Sequence, residues 1–208
     1  MSHRVGAAVL LVSTLAVGAP AERQDVYVPL DPLGPELEAL YEDLHRTPEL
    51  SLQEENTARK MADRLRGLGF EVTPKVGGHG VVGILRNGPG PTVMLRTDLD
   101  ALPVEEKTGL SYASRTRAHD DSGAVVPVMH ACGHDIHMTC WIGTATLLSK
   151  AKNRWRGTLM MIAQPAEEMG GGARAMLAAG LFTRFPKPEF AVAIHDSSEL
   201  PAGQVAYT

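Results

Sequence analysis

The chain has 208 residues, enough for one well-buried domain. Its 20 Lys and Arg against 24 Asp and Glu leave a formal net charge of −4, and no run of like charges occurs, which excludes a surface built to track nucleic acid. Two cysteines, Cys132 and Cys140, are too few and too poorly spaced for a disulfide framework.

At the N-terminus Arg4 precedes an apolar stretch, Val5 to Val17, followed by the small residues Gly18-Ala19-Pro20-Ala21. That order reads as a secretory signal peptide over 1–21, too short and wrongly flanked for a membrane span, and it predicts a secreted or periplasmic protein. A buried N-terminal helix or strand is the competing interpretation. The residues 22–35, Pro-rich from Pro29, then read as a connector, and 36–208 as the folded domain.

From Glu36 to His45 the apolar residues Leu37, Leu40, Tyr41 and Leu44 recur at helical spacing. Ser51 to Glu54 matches a capping box before a second helix, which carries Ala58, Met61, Ala62, Leu65 and Leu68 on one face and ends at Gly67 and Gly69. Strands are predicted from Phe70, over Val81 to Leu85 and over Thr92 to Leu95, the last two separated by the turn Asn87-Gly88-Pro89-Gly90. Helix Ile136 to Lys150, strand Thr158 to Ala163, helix Ala173 to Ala179 and strand Phe190 to Ile194 follow. The alternation predicts an α/β fold, a three-layer sandwich around a mostly parallel sheet. Cys140, inside an apolar helical stretch, reads as a small core residue.

Three apolar strands each run into residues with ligand or catalytic chemistry. Met94-Leu95 leads to Arg96-Thr97-Asp98-Leu99-Asp100, Leu159 to Ala163 leads to Gln164-Pro165-Ala166-Glu167-Glu168, and Ala191 to Ile194 leads to His195-Asp196. In open α/β sheets ligands bind beyond the carboxyl ends of strands, so the coincidence predicts one site there. The segment His130-Ala131-Cys132-Gly133-His134-Asp135 adds a thiol and an imidazole, both strong ligands for divalent transition metals. Gly133 lets the backbone turn both toward one centre, and Asp135 is placed to orient a neighbouring imidazole. A buried thiol opening a helix, or a cysteine protease using Cys132 and His195, would account for part of this pattern but leaves Glu167-Glu168 without a task. Adjacent carboxylates after a strand divide naturally between a metal and its activated water.

Arg96-Thr97-Asp98-Leu99-Asp100-Ala101-Leu102-Pro103, Met129 to Asp135, Gln164 to Glu168 and His195 occur in an order that resembles the metal-dependent amidohydrolases of the aminoacylase/carboxypeptidase superfamily. The branch most resembled holds hippurate hydrolases, N-acyl-amino-acid amidohydrolases and indole-acetyl-amino-acid hydrolases. The likeness includes His45 to Ser51 and Gly170 to Ala173. It implies that Cys132, His134, Glu168 and His195 are metal ligands and Glu167 the general base. It further implies two divalent ions (zinc or manganese, with cobalt an option), a small N-acyl amino acid or peptide substrate, and homo-oligomeric full-length relatives. Arg96 stands where more distant relatives have a histidine ligand. Family members are considerably longer, with a ferredoxin-like second domain and one more metal-binding histidine. The resemblance therefore implies that these 208 residues are an N-terminal part. The alternatives are an inactive fragment that still binds metal and a non-catalytic metal-binding module.

Overall fold

The computed structural model describes residues 31–201 and 203–206, so the expected leader over 1–21 and most of the expected connector over 22–35 lie outside the described residues. A short 3-10 turn, Asp31–Leu33, leads into helix α1, Gly34–Arg46, which buries Leu40 and Leu44. Helix α2, Glu55–Gly67, buries Ala58, Met61, Ala62 and Leu65 along the predicted stripe. Its start differs from the predicted capping box. Ser51 Oγ–H donates to Asp100 Oδ2 instead (2.6 Å), and the Glu49 carboxylate accepts the Asn56 and Thr57 N–H groups at 3.2 and 2.7 Å. A longer side chain reaching in from the preceding loop has displaced the local hydroxyl as the cap.

The main sheet holds β1 (Glu71–Thr73), β2 (Val81–Asn87), β3 (Thr92–Asp98), β6 (Gly157–Gln164) and β7 (Phe190–Ala193), in the order β1-β2-β6-β3-β7. The α/β class holds, with a mixed sheet. Pairing is parallel for β6 with β3 and for β3 with β7, but antiparallel for β1 with β2 and for β2 with β6. The glycine–proline turn after Asn87 reverses the chain between β2 and β3, and β6 then inserts between them, so β6 must run against one and along the other. The parallel half is the half that carries the predicted site residues.

Alternation along the inner strands fills two cores. Val81 and Leu85 of β2 with Leu159, Met161 and Ala163 of β6 pack against α1, α2 and helix α3, His134–Lys150. Val82 and Ile84 with Met160 and Ile162 face Met176 of α4, Gly172–Ala178, and Leu181 of α5, Leu181–Arg184. Helices cover both faces, which is why these strands read as unbroken apolar runs. Each fully buried side chain of this size contributes roughly 1.5–3 kcal/mol relative to exposure. The Trp141 indole N–H donates to Leu95 O at 3.2 Å and ties α3 to β3.

Three expectations change. β7 is an edge strand paired with β3 alone, and its four residues are all exposed. Cys140 is exposed on α3, not in the core, since that helix turns its Met138, Trp141, Ile142 and Ala145 inward. A small hairpin, β4 (Arg117–His119) with β5 (Val125–Pro127), stands where no strand is predicted; three-residue strands leave too little alternation to see. Among the described residues no helix is long and apolar enough to cross a membrane.

Candidate metal centre

The carboxyl ends of β3, β6 and β7 and the start of α3 meet at one place. Gly133 adopts φ 69 as the α3 N-cap, and a Cβ there would lie 2.5 Å from Asp196 Oδ1. Only glycine makes this turn without strain, and it leaves Cys132 before the helix and His134 as its first residue. Gly133→Ala should therefore lose about 1–3 kcal/mol in denaturant unfolding; an unchanged midpoint would contradict the crowding described here.

Among the described residues, three ligand atoms from Cys132, His134 and His195 lie within 4.8 Å of one another, as do those from His134, Glu167 and Glu168. The two sets share His134. Cys132 Sγ is 3.5 Å from His195 Nε2. His134 Nε2 is 3.7 Å from Glu168 Oε1, 3.8 Å from Glu167 Oε2 and 3.9 Å from Asp98 Oδ2. All five residues singled out from the sequence thus converge. Asp98 and His137 adjoin them: His137 is buried, with Nε2 against Asp196 Oδ1 at 2.9 Å and Nδ1 3.8 Å from Asp98 Oδ2.

Three features of this cluster fit a divalent cation. His134 Nε2 and Glu168 Oε1 are dehydrated and lack a hydrogen-bond partner among the described residues. Their spacing is too long for a hydrogen bond, yet ligand atoms sharing a tetrahedral zinc lie about 3.3–3.8 Å apart. Negative groups are also in excess. Burial, then Glu168, Glu167 and Asp196, push the Cys132 thiol up to about 12. Burial would depress His134, but Asp100 and Asp98 outweigh it and raise the imidazole to about 8. A dication would relieve that crowding and favour thiolate and neutral imidazole.

The surroundings fix these groups from several directions. His134 Nδ1–H donates to Asp100 O at 2.7 Å, which leaves Nε2 facing the carboxylates. Asp100 Oδ2 accepts the Glu168 N–H at 3.0 Å. Arg96 pairs with Asp98, donates Nε–H to Gln164 Oε1 at 3.1 Å, and approaches Glu167 Oε1 to 4.0 Å. After β6 the chain passes through Ala166 at φ 46, and the Gly171 and Gly172 N–H groups return to Ala166 O. A Cβ on Gly172 would fall 1.5 Å from Pro165 O, so a glycine at that position is what lets this turn close. Asp135 orients an imidazole as expected, but that of His45, at 2.6 Å. The sequence marks Glu54 only as part of a capping box and Asp100 only as one of the polar residues beyond β3, since nothing local reveals a distant hydrogen-bond partner.

A model of the peptidase family M20/M25/M40 matches residues 94–208, more than half of the chain. The protein belongs to this family. The matched span starts within β3 and includes Arg96, Cys132, His134, Glu167, Glu168 and His195. Thermostable carboxypeptidase 1 of Saccharolobus solfataricus is 44% identical over 167 residues, 78% of this chain and 39% of the relative. A hippurate hydrolase of Campylobacter jejuni is 41% identical over 151 residues, 72% of this chain and 37% of that protein. The chain thus spans about two fifths of the length of these curated relatives. The crystal structure of a dinuclear metal-binding M20 peptidase from Bacillus subtilis superposes with a TM-score of 0.72 at 35% identity, covering 82% of this chain and 45% of that one. The M20 match agrees with the α/β fold and with the resemblance on which the site residues were chosen.

Proposed function

We propose that the protein hydrolyses the amide bond of N-acyl amino acids or small peptides at a binuclear metal site. The observation that carries this reading is the convergence of Cys132, His134 and His195 with Glu167 and Glu168 around a shared imidazole. In this reading Cys132, His134, Glu168 and His195 hold the ions, zinc or manganese, with cobalt a further candidate. Bound metal would polarise the carbonyl and acidify water. Glu167, a third exposed while His134 is sealed, would take the proton of the attacking water and pass it to the departing amine. Arg96 confines it from the other side. An open cleft of about 300 Å³, lined by Met94, Ile162, Met176, Leu181 and Phe182 together with Arg96 and Gln164, offers apolar space for the acyl group in this reading, and its Arg96 lies 4.0 Å from Glu167. The names of the relatives, a carboxypeptidase and a hippurate hydrolase, support an amino-acid amide as substrate. The signal-peptide-like order of Arg4, the apolar stretch Val5 to Val17 and the small residues after it makes export part of this proposal.

Elemental analysis after equilibration with zinc or manganese tests the site. Two bound ions are expected, with a loss in Cys132→Ala; unchanged metal in that variant would show the ligand set to be wrong. A second reading, metal binding without turnover, requires nothing beyond the same clustered ligand atoms. Hydrolysis of hippurate or N-acetyl amino acids by the metal-loaded chain separates the two, and silence with both ions bound would sink the enzymatic one.

A further inference from the structure

Glu54 is a carboxyl with no exposure at all, and burying such a group is costly unless something is gained. It lies at the start of α2, yet it does not cap that helix through its side chain. Glu49 already occupies the Asn56 and Thr57 N–H groups. Instead Glu54 Oε1 reaches a residue 112 positions away and accepts the Ala166 N–H at 2.7 Å. Ala166 is almost fully buried, so no water replaces this acceptor, and its φ of 46 is a conformation that a residue with a Cβ adopts only under constraint. The next two residues are Glu167 and Glu168. The exit of the same turn is fixed separately, where Asp100 Oδ2 accepts the Glu168 N–H and the Ser51 hydroxyl.

We propose that Glu54 is a positioning residue for the carboxylate pair: by accepting the Ala166 N–H it holds the left-handed turn that lets Glu167 and Glu168 point at different targets. This rests on the metal-hydrolase reading only for its consequence, since the clamp itself is a property of the metal-free fold. The contribution lies in the reach of the acceptor and not in its charge. Burial, ahead of every other influence, already pushes the Glu54 carboxyl toward its neutral form. Glutamine presents an oxygen at the same reach, whereas aspartate keeps the charge but withdraws the oxygen by one carbon.

Glu54→Gln and Glu54→Asp separate the two in the 208-residue chain. Amide hydrogen exchange at residues 166–168 is read on metal-free protein, and zinc affinity by competition with a chromophoric chelator. Glu54→Gln should match the wild type in both. Glu54→Asp should exchange about tenfold faster at Ala166 and bind zinc about tenfold more weakly, the scale typical of groups that orient metal ligands. Native exchange in Glu54→Asp, or loosening in Glu54→Gln, overturns the proposal. A merely structural role would lower the unfolding midpoint of both variants while leaving zinc affinity intact, and that too overturns it. Should Glu54→Asp not fold, the Glu54→Gln result decides alone: native exchange and zinc affinity support the clamp, and impairment refutes it. If the wild type binds no zinc, the exchange data still judge the clamp, and the metal reading fails by itself.

Discussion

Glu167→Gln is expected to lower kcat for amide hydrolysis by about 10²–10⁴-fold, or roughly 3–5 kcal/mol of barrier, with bound metal unchanged. Glutamine fills the same volume and still accepts a hydrogen bond, but it cannot take up a proton. The neighbours of Glu167 make this a clean substitution. His134 Nε2 at 3.8 Å and Arg96 at 4.0 Å are both beyond hydrogen-bond reach, so no direct partner is stranded when the charge goes. KM should move little, because the loss falls on the transition state. Glu168→Gln should behave differently and shed metal, since Glu168 is assigned to the ion and is held by its own N–H to Asp100. Hydrolysis of hippurate by the manganese- or zinc-loaded variants, beside their metal content, measures both. A Glu167→Gln protein turning over at the wild-type rate would remove Glu167 from the chemistry.

His45→Phe should destabilise the fold by about 3–5 kcal/mol, the cost of removing one partner from a buried ion pair. His45 is buried at the end of α1, with Nδ1 2.6 Å from Asp135 Oδ2 and Nε2 3.1 Å from Glu106 Oε1. Tyr41 and Tyr112 enclose the ring at 5.6 and 5.4 Å between centroids, so phenylalanine fits the space while leaving both carboxylates unpaired. The tie joins α1 and the loop at Glu106 to the first turn of α3, where His134 sits. Burial pulls the His45 pKa down, but the hydrogen bonds to Asp135 and Glu106 outweigh it, and the net shift is upward from 6.5. A raised imidazole pKa stabilises fully below the unfolded value. That contribution fades as pH climbs through the folded value. The wild-type advantage over His45→Phe should therefore be greatest at and below pH 6.5, the ordinary imidazole value, and shrink across the range above it. Thermal or urea unfolding of both proteins across that range measures it, and an advantage that grows with pH would show that the imidazole is neutral.

Much of the site was legible because its chemistry is carried by residue types at strand ends. Met94-Leu95, Leu159 to Ala163 and Ala191 to Ile194 are apolar and short, and each leads within four residues to a carboxylate or an imidazole. Alternation could not show how they neighbour one another, since strands covered on both faces lack a polar side. The order β1-β2-β6-β3-β7 was accordingly beyond reach, as was the antiparallel half of the sheet. The hairpin β4–β5 and the exposure of Cys140 were missed for a related reason, namely that three residues are too few for a period and one cysteine has no face of its own.

By itself the sequence determined the α/β class, the metal-ligating residue types and the family, because composition, period and the order of motifs are local or linear properties. Only the tertiary structure decided that Glu54 serves Ala166 and not its own helix, that Asp135 orients His45, and that Asp100 fixes both His134 and Glu168. Those assignments depend on which distant donor a buried acceptor meets. A buried carboxyl must find a partner, but the chain does not state which one until it has folded.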